Sequence, residues 1–274
     1  MHWIKNLLVA LPLLMSGNFN ADNIISVILG IISFSLLSSA VYILNDVLDI
    51  EHDRMHPNKQ KRPLASASIP VEKAIGLAFL LIVVTLLYHF LRSSSILLLV
   101  AYLLLNYFYS IAGKRIRFID ILLLSSFYLI RIIYGGQIAS VNLTGWFMAT
   151  ITMAVLAISI HKRYMECVIT EHEVLPGRGY TKQDATLLKH VMFNFSGMVQ
   201  VLLNIHAYFV LNISEFYFYC LMNLITAGII LLYFDDSQNT SDDPVARILG
   251  NKKLLIMLLL FLILYSYEVI RFHK

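Results

Sequence analysis

Residues 22–54 decide how this chain folds, and they read DNIISVILGIISFSLLSSAVYILNDVLDIEHDR. Between Asn23 and Asn45 the stretch holds no charged residue, and it is long enough to cross the roughly 30 Å hydrocarbon core of a bilayer as a helix. Its last part carries a cluster of acidic residues. The stretch therefore predicts a membrane-spanning helix that presents carboxylates at one membrane surface.

The composition extends this prediction to the whole chain. Of its 274 residues, 58% are hydrophobic and 14% are charged, and the mean hydropathy is +0.73, which excludes an ordinary soluble domain. We expect an all-α integral membrane protein, a single polytopic transmembrane domain over residues 1–274, with about nine transmembrane helices. The expected spans are residues 7–15, 22–44, 71–91, 95–112, 118–139, 145–164, 191–211, 216–234 and 254–272.

The positive charges predict which side of the membrane each loop faces. Of the 21 Lys and Arg residues, 17 fall on the side of the N-terminus and of the long loops after residues 44, 112, 164 and 234. Three fall on the opposite side, and Arg131 lies within a span. By the positive-inside rule, the N-terminus and these loops are cytoplasmic and the C-terminus is external, in a cell (inner) membrane. The net charge of +4 reflects this asymmetry, so we expect no nucleic-acid partner.

The acidic cluster places Asp46, Asp49 and Asp53 at positions i, i+3 and i+7, which share one face of a helix. Three converging carboxylates repel one another and are costly beside hydrocarbon unless a cation neutralises them. Mg²⁺ is the natural cation, because it takes hard oxygen ligands and is commonly held by one or two carboxylates together with substrate phosphates. Asn45 is expected to add a neutral contact. The alternative is a solvated, polar helix end.

A basic stretch, His-Pro-Asn-Lys-Gln-Lys-Arg-Pro at residues 56–63, follows the acids directly. This order favours a metal–diphosphate site over a solvated helix end, with Lys59 and Arg62 binding phosphate oxygens directly. The pattern Asn-Asp-x-x-Asp-x-x-x-Asp followed by Lys-x-x-Arg-Pro resembles the first signature of the UbiA-like intramembrane prenyltransferases. The resemblance covers nearly the whole chain and implies a UbiA-like bundle whose Mg²⁺-dependent active site is open to the cytoplasmic face.

The chain departs from most of that superfamily at a second motif. Where an Asp-x-x-x-Asp pattern is usual after the sixth span, residues 159–166 read SIHKRYME, so Lys162 and Arg163 stand in place of two acids. One acidic site and one dibasic patch should bind a metal–diphosphate and, separately, a phosphate ester.

This departure resembles the decaprenyl-phosphate phosphoribosyltransferase branch of the superfamily. The same branch is indicated by residues 3–6, by His56-Pro57, by Tyr109 through Lys114 leading to Asp120, by residues 129–131 with Gly135-Gly136, and by residues 162–164. The resemblance implies transfer of 5-phosphoribosyl from phosphoribosyl diphosphate to a polyprenyl phosphate, which releases diphosphate and yields a lipid-linked pentose for a cell-envelope glycan.

Several residues have two interpretations from sequence alone. Arg131 within a span is either a functional cation or an arginine that pairs with Asp120 or with backbone carbonyls. The helix dipole alone can explain Asp120, but the branch pattern assigns Tyr109, Lys114 and Asp120 to substrate binding. Lys5 either anchors the first span at the interface or contacts phosphate.

Two other functions stay open at this point. A UbiA-type prenyltransferase with an aromatic acceptor has the same fold. It would be expected to carry a second acid pair, which this chain lacks. A transporter predicts charges or broken helices near the bilayer midplane, where only Arg131 is embedded. A homo-oligomer is also left open.

Overall fold

A computed structural model shows a bundle of α-helices in which residues 2–17, 19–55, 59–92, 95–175, 177–210, 213, 215–235 and 243–272 are described. The helices are α1 (Leu11–Ser16), α2 (Ala21–Leu48), α3 (Ile50–Met55), α4 (Val71–Leu91), α5 (Ile96–Ile111), α6 (Ile119–Ile138), α7 (Gly145–Ile169), α8 (Asp184–Phe209), α9 (Phe216–Tyr233), α10 (Pro244–Gly250) and α11 (Lys252–Phe272). Short 3₁₀ helices cover His2–Ala10, Lys59–Lys61 and Gly113–Arg115. In the described part of the chain, β-pairing is confined to one isolated bridge, between Val174 and Thr181.

Five helices, α2, α4, α6, α7 and α9, are long and apolar enough to cross a membrane. Helix α10 and the part of α11 up to Val269 meet the same test together, but they are bent by 97° at the break between them. Each of the nine predicted spans overlaps a helix, yet the apolar segment Trp3–Ser16 and helix α5 are shorter than a full span. The all-helical membrane fold is therefore confirmed with five or six candidate spans, and the count of nine is not.

Helix α2 shows how the sequence sets the bounds of a long span. The side chain of Asn20 caps its start by accepting a hydrogen bond from the Asn23 N–H at 2.7 Å. The helix contains no proline, and its apolar part ends at Leu44, before Asn45 and Asp46. The helix therefore extends past residue 44, the end predicted from hydropathy, because polar residues continue the helical hydrogen bonding beyond the apolar part.

Two other helices also differ from the predicted spans at one end. Helix α7 continues to Ile169 rather than ending at residue 164, and α8 begins at Asp184 rather than at residue 191. The extra residues include Glu166 in α7 and Asp184, Lys189 and His190 in α8, and a hydropathy pattern ends a span at such residues even when the helix continues.

The largest buried cluster joins the N-terminal segment to α2, α5 and α6. It contains Val9, Phe34, Leu37, Val41, Leu99, Tyr102, Leu123, Phe127, Ile130 and Tyr134. Gly135 on α6 makes this close packing feasible, because a Cβ atom at that position would lie 2.1 Å from the Val9 carbonyl oxygen. The first residues of the chain are thereby fixed against the centre of the bundle.

A second buried cluster lies under the loop between α7 and α8. It combines residues of α6, α7 and α8 with Leu175 and Tyr180 of the loop itself, and Tyr180 is fully buried. The loop is thus part of the packed structure, and it positions polar residues beside the end of α5 and the start of α6.

Candidate active site

The acidic cluster lies where α2 gives way to α3. Asp49 is the C-cap residue of α2, with φ −99° and ψ 7°, and α3 starts at Ile50. Backbone hydrogen bonds from Asp49 N to Asn45 O at 2.9 Å and from Asp53 N to Asp49 O at 2.8 Å span this junction. Helical hydrogen bonding therefore continues from α2 through Asp49 into α3.

Asp46 and Asp53 meet at one cation. The same Nη1 atom of Arg62 donates to Asp46 Oδ1 at 2.7 Å and to Asp53 Oδ2 at 2.8 Å. The Asp53 side chain is almost fully buried, whereas those of Asp46 and Arg62 are partly exposed. Arg62, predicted to bind phosphate, thus neutralises two of the three predicted metal ligands.

Asp49 faces a different cation. Its Oδ1 lies 3.0 Å from Lys114 Nζ, which belongs to the 3₁₀ turn after α5. Asp46 and Asp53 share Arg62 while Asp49 pairs with Lys114, so the expectation that all three aspartates converge on one cation is not met among the described residues. Nearby, Asn45 Oδ1 accepts a hydrogen bond from Ser110 Oγ on α5. The side chain of Lys59 and residues His56 and Pro57 lie outside the described residues.

The donors at this helix end suit Mg²⁺ in their chemistry. Asp46 and Asp53 direct two hard carboxylate oxygens at a single point, which a cationic nitrogen holds in this structure. Among the described residues, no three His, Cys, Asp or Glu side chains are arranged to hold a metal ion by themselves. Because Mg²⁺ usually keeps several waters and takes one or two carboxylates plus substrate phosphates, a site with two converging carboxylates fits it.

A second polar cluster is built around Asp120 at the start of α6. Both Asp120 and Arg163 of α7 are fully buried, and Arg163 Nε donates to Asp120 Oδ2. The other Asp120 oxygen accepts from the Tyr180 hydroxyl at 2.6 Å and from the Ile121 N–H at 2.7 Å. Burial and the hydrogen bond to Asp120 raise the pKa of Tyr180 well above its usual range, so the phenol stays protonated as a donor.

Arg163 makes two further contacts. Its Nη1 donates to the Glu166 carboxylate, and its Nη2 donates to the Tyr109 hydroxyl at 3.1 Å. The Tyr109 oxygen also accepts a hydrogen bond from Arg178 Nη1 at 2.9 Å. Two predicted site residues, Tyr109 and Arg163, are therefore brought together, and the charge of Arg163 is already balanced by carboxylates.

A third cluster ties the N-terminal segment to the start of α10. Lys5 Nζ lies 3.1 Å from Asp243 Oδ1, and Asp243 caps α10 by accepting from the Val245 N–H at 3.2 Å. Burial acts to raise the pKa of Asp243, but the Lys5 ammonium, the helix cap and the charge of Lys162 outweigh it and hold that pKa below its usual value. Lys5 and Lys162 thus both stabilise the ionised form of the Asp243 carboxylate.

Arg131 lies deep in the bundle, 4% exposed. Its Nε donates to Asn6 Oδ1 at 2.9 Å, its Nη2 donates to the Tyr102 hydroxyl at 3.2 Å, and its Nη1 donates to the Phe127 carbonyl oxygen. The predicted alternative of pairing with Asp120 is wrong, since Asp120 pairs with Arg163, whereas the alternative of a backbone carbonyl partner is confirmed.

Sequence reasoning missed Arg178, Tyr180, Ser110 and Asp243 at these clusters. Arg178 reaches Tyr109 across 69 positions, and nothing in its local sequence distinguishes it from a surface arginine. The Asp243-Pro244 pair does predict a helix start, but not the contact with Lys5. A pairwise contact between distant segments carries no signal in a single sequence.

Comparison with known proteins places this geometry in a family. The model of the UbiA prenyltransferase family matches residues 6–247. A decaprenyl-phosphate phosphoribosyltransferase of Corynebacterium glutamicum is 35% identical over 175 residues, which are 62% of this chain and 53% of that protein. The enzyme of the same name from Mycolicibacterium smegmatis is also 35% identical over 175 residues, 62% of this chain and 55% of that protein. The match thus spans about half the length of these curated relatives.

The fold agrees with a solved structure. A UbiA homolog from Archaeoglobus fulgidus, bound to GPP and Mg²⁺, superposes with a TM-score of 0.68 at 15% identity, covering 98% of this chain and 96% of that chain. At this identity the likeness shows the fold alone. Since the family match covers most of the chain and the membrane-type helices agree with it, this multi-pass membrane protein belongs to the UbiA prenyltransferase family.

Proposed function

We propose that the protein transfers the 5-phosphoribosyl group from phosphoribosyl diphosphate to a polyprenyl phosphate and releases diphosphate. The observation that carries this proposal is the end of α7, where Lys162 and a buried, doubly paired Arg163 stand in place of a second pair of metal-binding acids. The identity to two decaprenyl-phosphate phosphoribosyltransferases supports it. The product is a lipid-linked pentose, a precursor for a cell-envelope glycan.

The proposed reaction is a substitution at C1 of the ribose. A phosphate oxygen of the acceptor forms a bond to C1 while the bond from C1 to the diphosphate oxygen breaks, and the diphosphate leaves with the electron pair. The acceptor is an anion at neutral pH, so it requires no strong general base. The site's main task is therefore to hold phosphates and to offset the charge that develops on the leaving group.

Asp46, Asp49 and Asp53, with Asn45, are the residues we propose to hold Mg²⁺. When bound, Mg²⁺ neutralises the leaving diphosphate and so stabilises its departure. Arg62 and Lys114 contact these carboxylates in the present structure, and we propose that they turn to phosphate oxygens of the donor, together with Lys59. An ion pair with a partly exposed partner exchanges at little cost.

The remaining predicted residues serve the acceptor side in this proposal. Lys5 pairs with Asp243, the charge of Lys162 also acts on that carboxylate, and we assign both lysines to the acceptor phosphate. Asp120 and Arg163 fix the position of Tyr109. Arg131 acts through Asn6, the neighbour of Lys5, by holding the N-terminal segment in the bundle.

The membrane arrangement completes the proposal. We propose nine spans in one domain, with the N-terminus and the acidic site at the cytoplasmic face of the inner membrane and the C-terminus outside. The distribution of Lys and Arg supports this orientation. Labelling of single engineered cysteines from either side of sealed vesicles tests it.

The decisive experiment is an assay of the purified full-length protein in detergent. We expect Mg²⁺-dependent conversion of radiolabelled polyprenyl phosphate and phosphoribosyl diphosphate to a lipid-linked phosphoribose, with one diphosphate released per lipid. A parallel reaction supplies geranylgeranyl diphosphate and an aromatic acceptor. Product in the parallel reaction alone would refute the proposal and favour an aromatic prenyltransferase.

A further inference from the structure

The cations beside the acidic cluster differ in how their charge is balanced. Arg62 and Lys114 face aspartates, and Arg163 faces Asp120 and Glu166. Arg178 is different, because no carboxylate among the described residues lies within ion-pair distance of it. Its side-chain hydrogen bond goes to a neutral group, the Tyr109 hydroxyl. Arg178 therefore brings a positive charge to this surface without a matching acid in the described part of the chain.

The hydrogen of the Tyr109 hydroxyl is available for a hydrogen bond to a ligand. Its oxygen accepts one hydrogen bond from Arg178 Nη1 at 2.9 Å and one from Arg163 Nη2 at 3.1 Å, which uses both lone pairs. Its own hydrogen finds no acceptor among the described residues. The Tyr109 O–H and the guanidinium of Arg178 therefore lie together without an acidic partner among the described residues, and a phosphate oxygen is a partner that both could bind.

The loop that carries Arg178 is held firmly in place. A Cβ atom at Gly179 would lie 2.8 Å from the Arg115 carbonyl oxygen, so the loop backbone packs directly on the segment after α5. Next to it, the Tyr180 hydroxyl donates to Asp120 and accepts from the Phe118 N–H at 2.7 Å. Arg178 is thus presented by a preorganised loop, which lowers the entropy cost of binding a ligand.

This group of donors adjoins the acidic site. Tyr109 directly precedes Ser110 in α5, and Ser110 donates to Asn45, the residue before Asp46. A ligand that spans the two clusters would place one phosphate at the aspartates and another at Arg178. Substrates of the proposed reaction carry phosphates in both roles.

We propose that Arg178, together with Tyr109, forms an oxyanion site that binds the phosphate monoester of a substrate, separately from the metal–diphosphate site. The inference rests on the proposed function and deepens it. Two groups share this chemistry, namely the 5-phosphate of phosphoribosyl diphosphate and the phosphate of the polyprenyl acceptor.

The test uses the purified full-length protein and three variants. Arg178→Gln removes the charge, and Arg178→Lys keeps the charge but loses the guanidinium fork. Arg115→Gln is the matched control, because Arg115 is an exposed arginine on the neighbouring segment. Initial rates with each substrate varied in turn give KM and kcat, and thermal unfolding confirms that each variant is folded.

We expect Arg178→Gln to raise KM about tenfold or more for one substrate and by less than about twofold for the other. Arg178→Lys should recover part of the loss, and Arg115→Gln should change neither KM by more than about twofold. A merely structural role would lower the unfolding temperature and would not separate the two KM values. Equal KM values for Arg178→Gln and the unmodified protein would overturn the inference.

Calorimetry with two probes, ribose 5-phosphate and farnesyl phosphate, identifies which substrate phosphate binds at Arg178. This measurement does not depend on turnover. Loss of ribose 5-phosphate binding in Arg178→Gln, with farnesyl phosphate binding retained, assigns the site to the donor. The reverse assigns it to the acceptor. Unchanged binding of both probes overturns the inference even if the unmodified protein is active, whereas an inactive unmodified protein refutes the proposed function alone.

Discussion

Lys114 Nζ lies 3.0 Å from Asp49 Oδ1, so an ion pair joins the end of α2 to the turn after α5 across 65 positions of the chain. The Asp49 side chain is 40% exposed, and water therefore reaches the pair. Exposed pairs stabilise a protein by at most about 1 kcal/mol. Releasing Lys114 from Asp49 to bind a phosphate thus costs little, which suits a group that exchanges partners when substrate binds.

The first prediction concerns the aspartates. Asp46→Asn and Asp49→Asn should each lower kcat about a hundredfold or more, because the amide keeps the shape but loses the charge that holds the metal. Both variants should unfold within a few degrees of the unmodified protein, since the pairs of Asp46 with Arg62 and of Asp49 with Lys114 are partly exposed and stabilise the fold little. The phosphoribosyl transfer assay and thermal unfolding in detergent measure the two effects.

Glu51→Gln is the matched control for this prediction. Glu51 lies on α3 between the aspartates, its side chain is 79% exposed, and it pairs with Arg54 at 3.0 Å. We expect kcat within about twofold of the unmodified protein. Full activity in both aspartate variants would remove the metal assignment.

The second prediction concerns the buried pair of Asp120 and Arg163. Asp120→Asn or Arg163→Gln should each lower the free energy of unfolding by about 3–5 kcal/mol, because one buried charge is left without its main partner. Chemical denaturation in mixed micelles measures the loss. For comparison, Arg54→Gln at the exposed pair with Glu51 should cost less than about 1 kcal/mol.

A double variant distinguishes a charge effect from a shape effect. Asp120→Asn combined with Arg163→Gln removes both charges, and it should recover part of the stability lost by either single change. Recovery should be incomplete, because Glu166 loses a partner. Additive losses in the double variant would contradict the view that the two side chains stabilise each other.

Much of the fold and part of the site were predictable because the relevant signals are local. The apolar runs mark the helices, and the acids of residues 46–53 with Arg62 lie within one short segment, so their proximity follows from the chain itself. The UbiA family was recognised from the same segment, and the family match confirms it.

The remainder depends on contacts between distant segments. Asp49 pairs with Lys114, Asp120 with Arg163, and Lys5 with Asp243, and each pair joins segments far apart in the chain. Each of these pairings is set by the packing of segments that are far apart in sequence. A single sequence shows which charges must be paired but not which charge pairs with which.

The third prediction is a pH dependence of the contact between Lys5 and Asp243. The folded-state pKa of Asp243 lies below the usual value of 3.8, so its ionised form is favoured by folding. The stabilising contribution is complete above the unfolded pKa, and it is lost as the pH falls through the lower, folded value. Unfolding temperatures of the unmodified protein and Asp243→Asn should therefore differ by a constant amount from pH 7 to about pH 4 and converge below it. A constant difference down to about pH 2 would contradict the prediction.

The last prediction concerns Gly135. Its substitution by alanine would place a Cβ atom 2.1 Å from the Val9 carbonyl oxygen. The atoms it would meet belong to the backbone of Val9, a residue of the largest buried cluster, so they cannot move aside as a flexible side chain could. The N-terminal segment would have to move, so we expect Gly135→Ala to destabilise the protein by about 1–3 kcal/mol. Gly76 on α4 offers the control, because a Cβ atom there would meet nothing within 4 Å. Gly76→Ala should be neutral or stabilise by about 0.5–1 kcal/mol, as alanine favours a helix over glycine.

The same substitution also tests the link between the N-terminal segment and the site. Val9 follows Lys5 by roughly one helical turn, so a displaced segment would move the Lys5 ammonium away from Asp243. We therefore expect Gly135→Ala to raise KM for polyprenyl phosphate while leaving the dependence on Mg²⁺ unchanged, since the aspartates lie on other elements. A change in the apparent affinity for Mg²⁺ with no change in that KM would show that the segment serves the metal site instead.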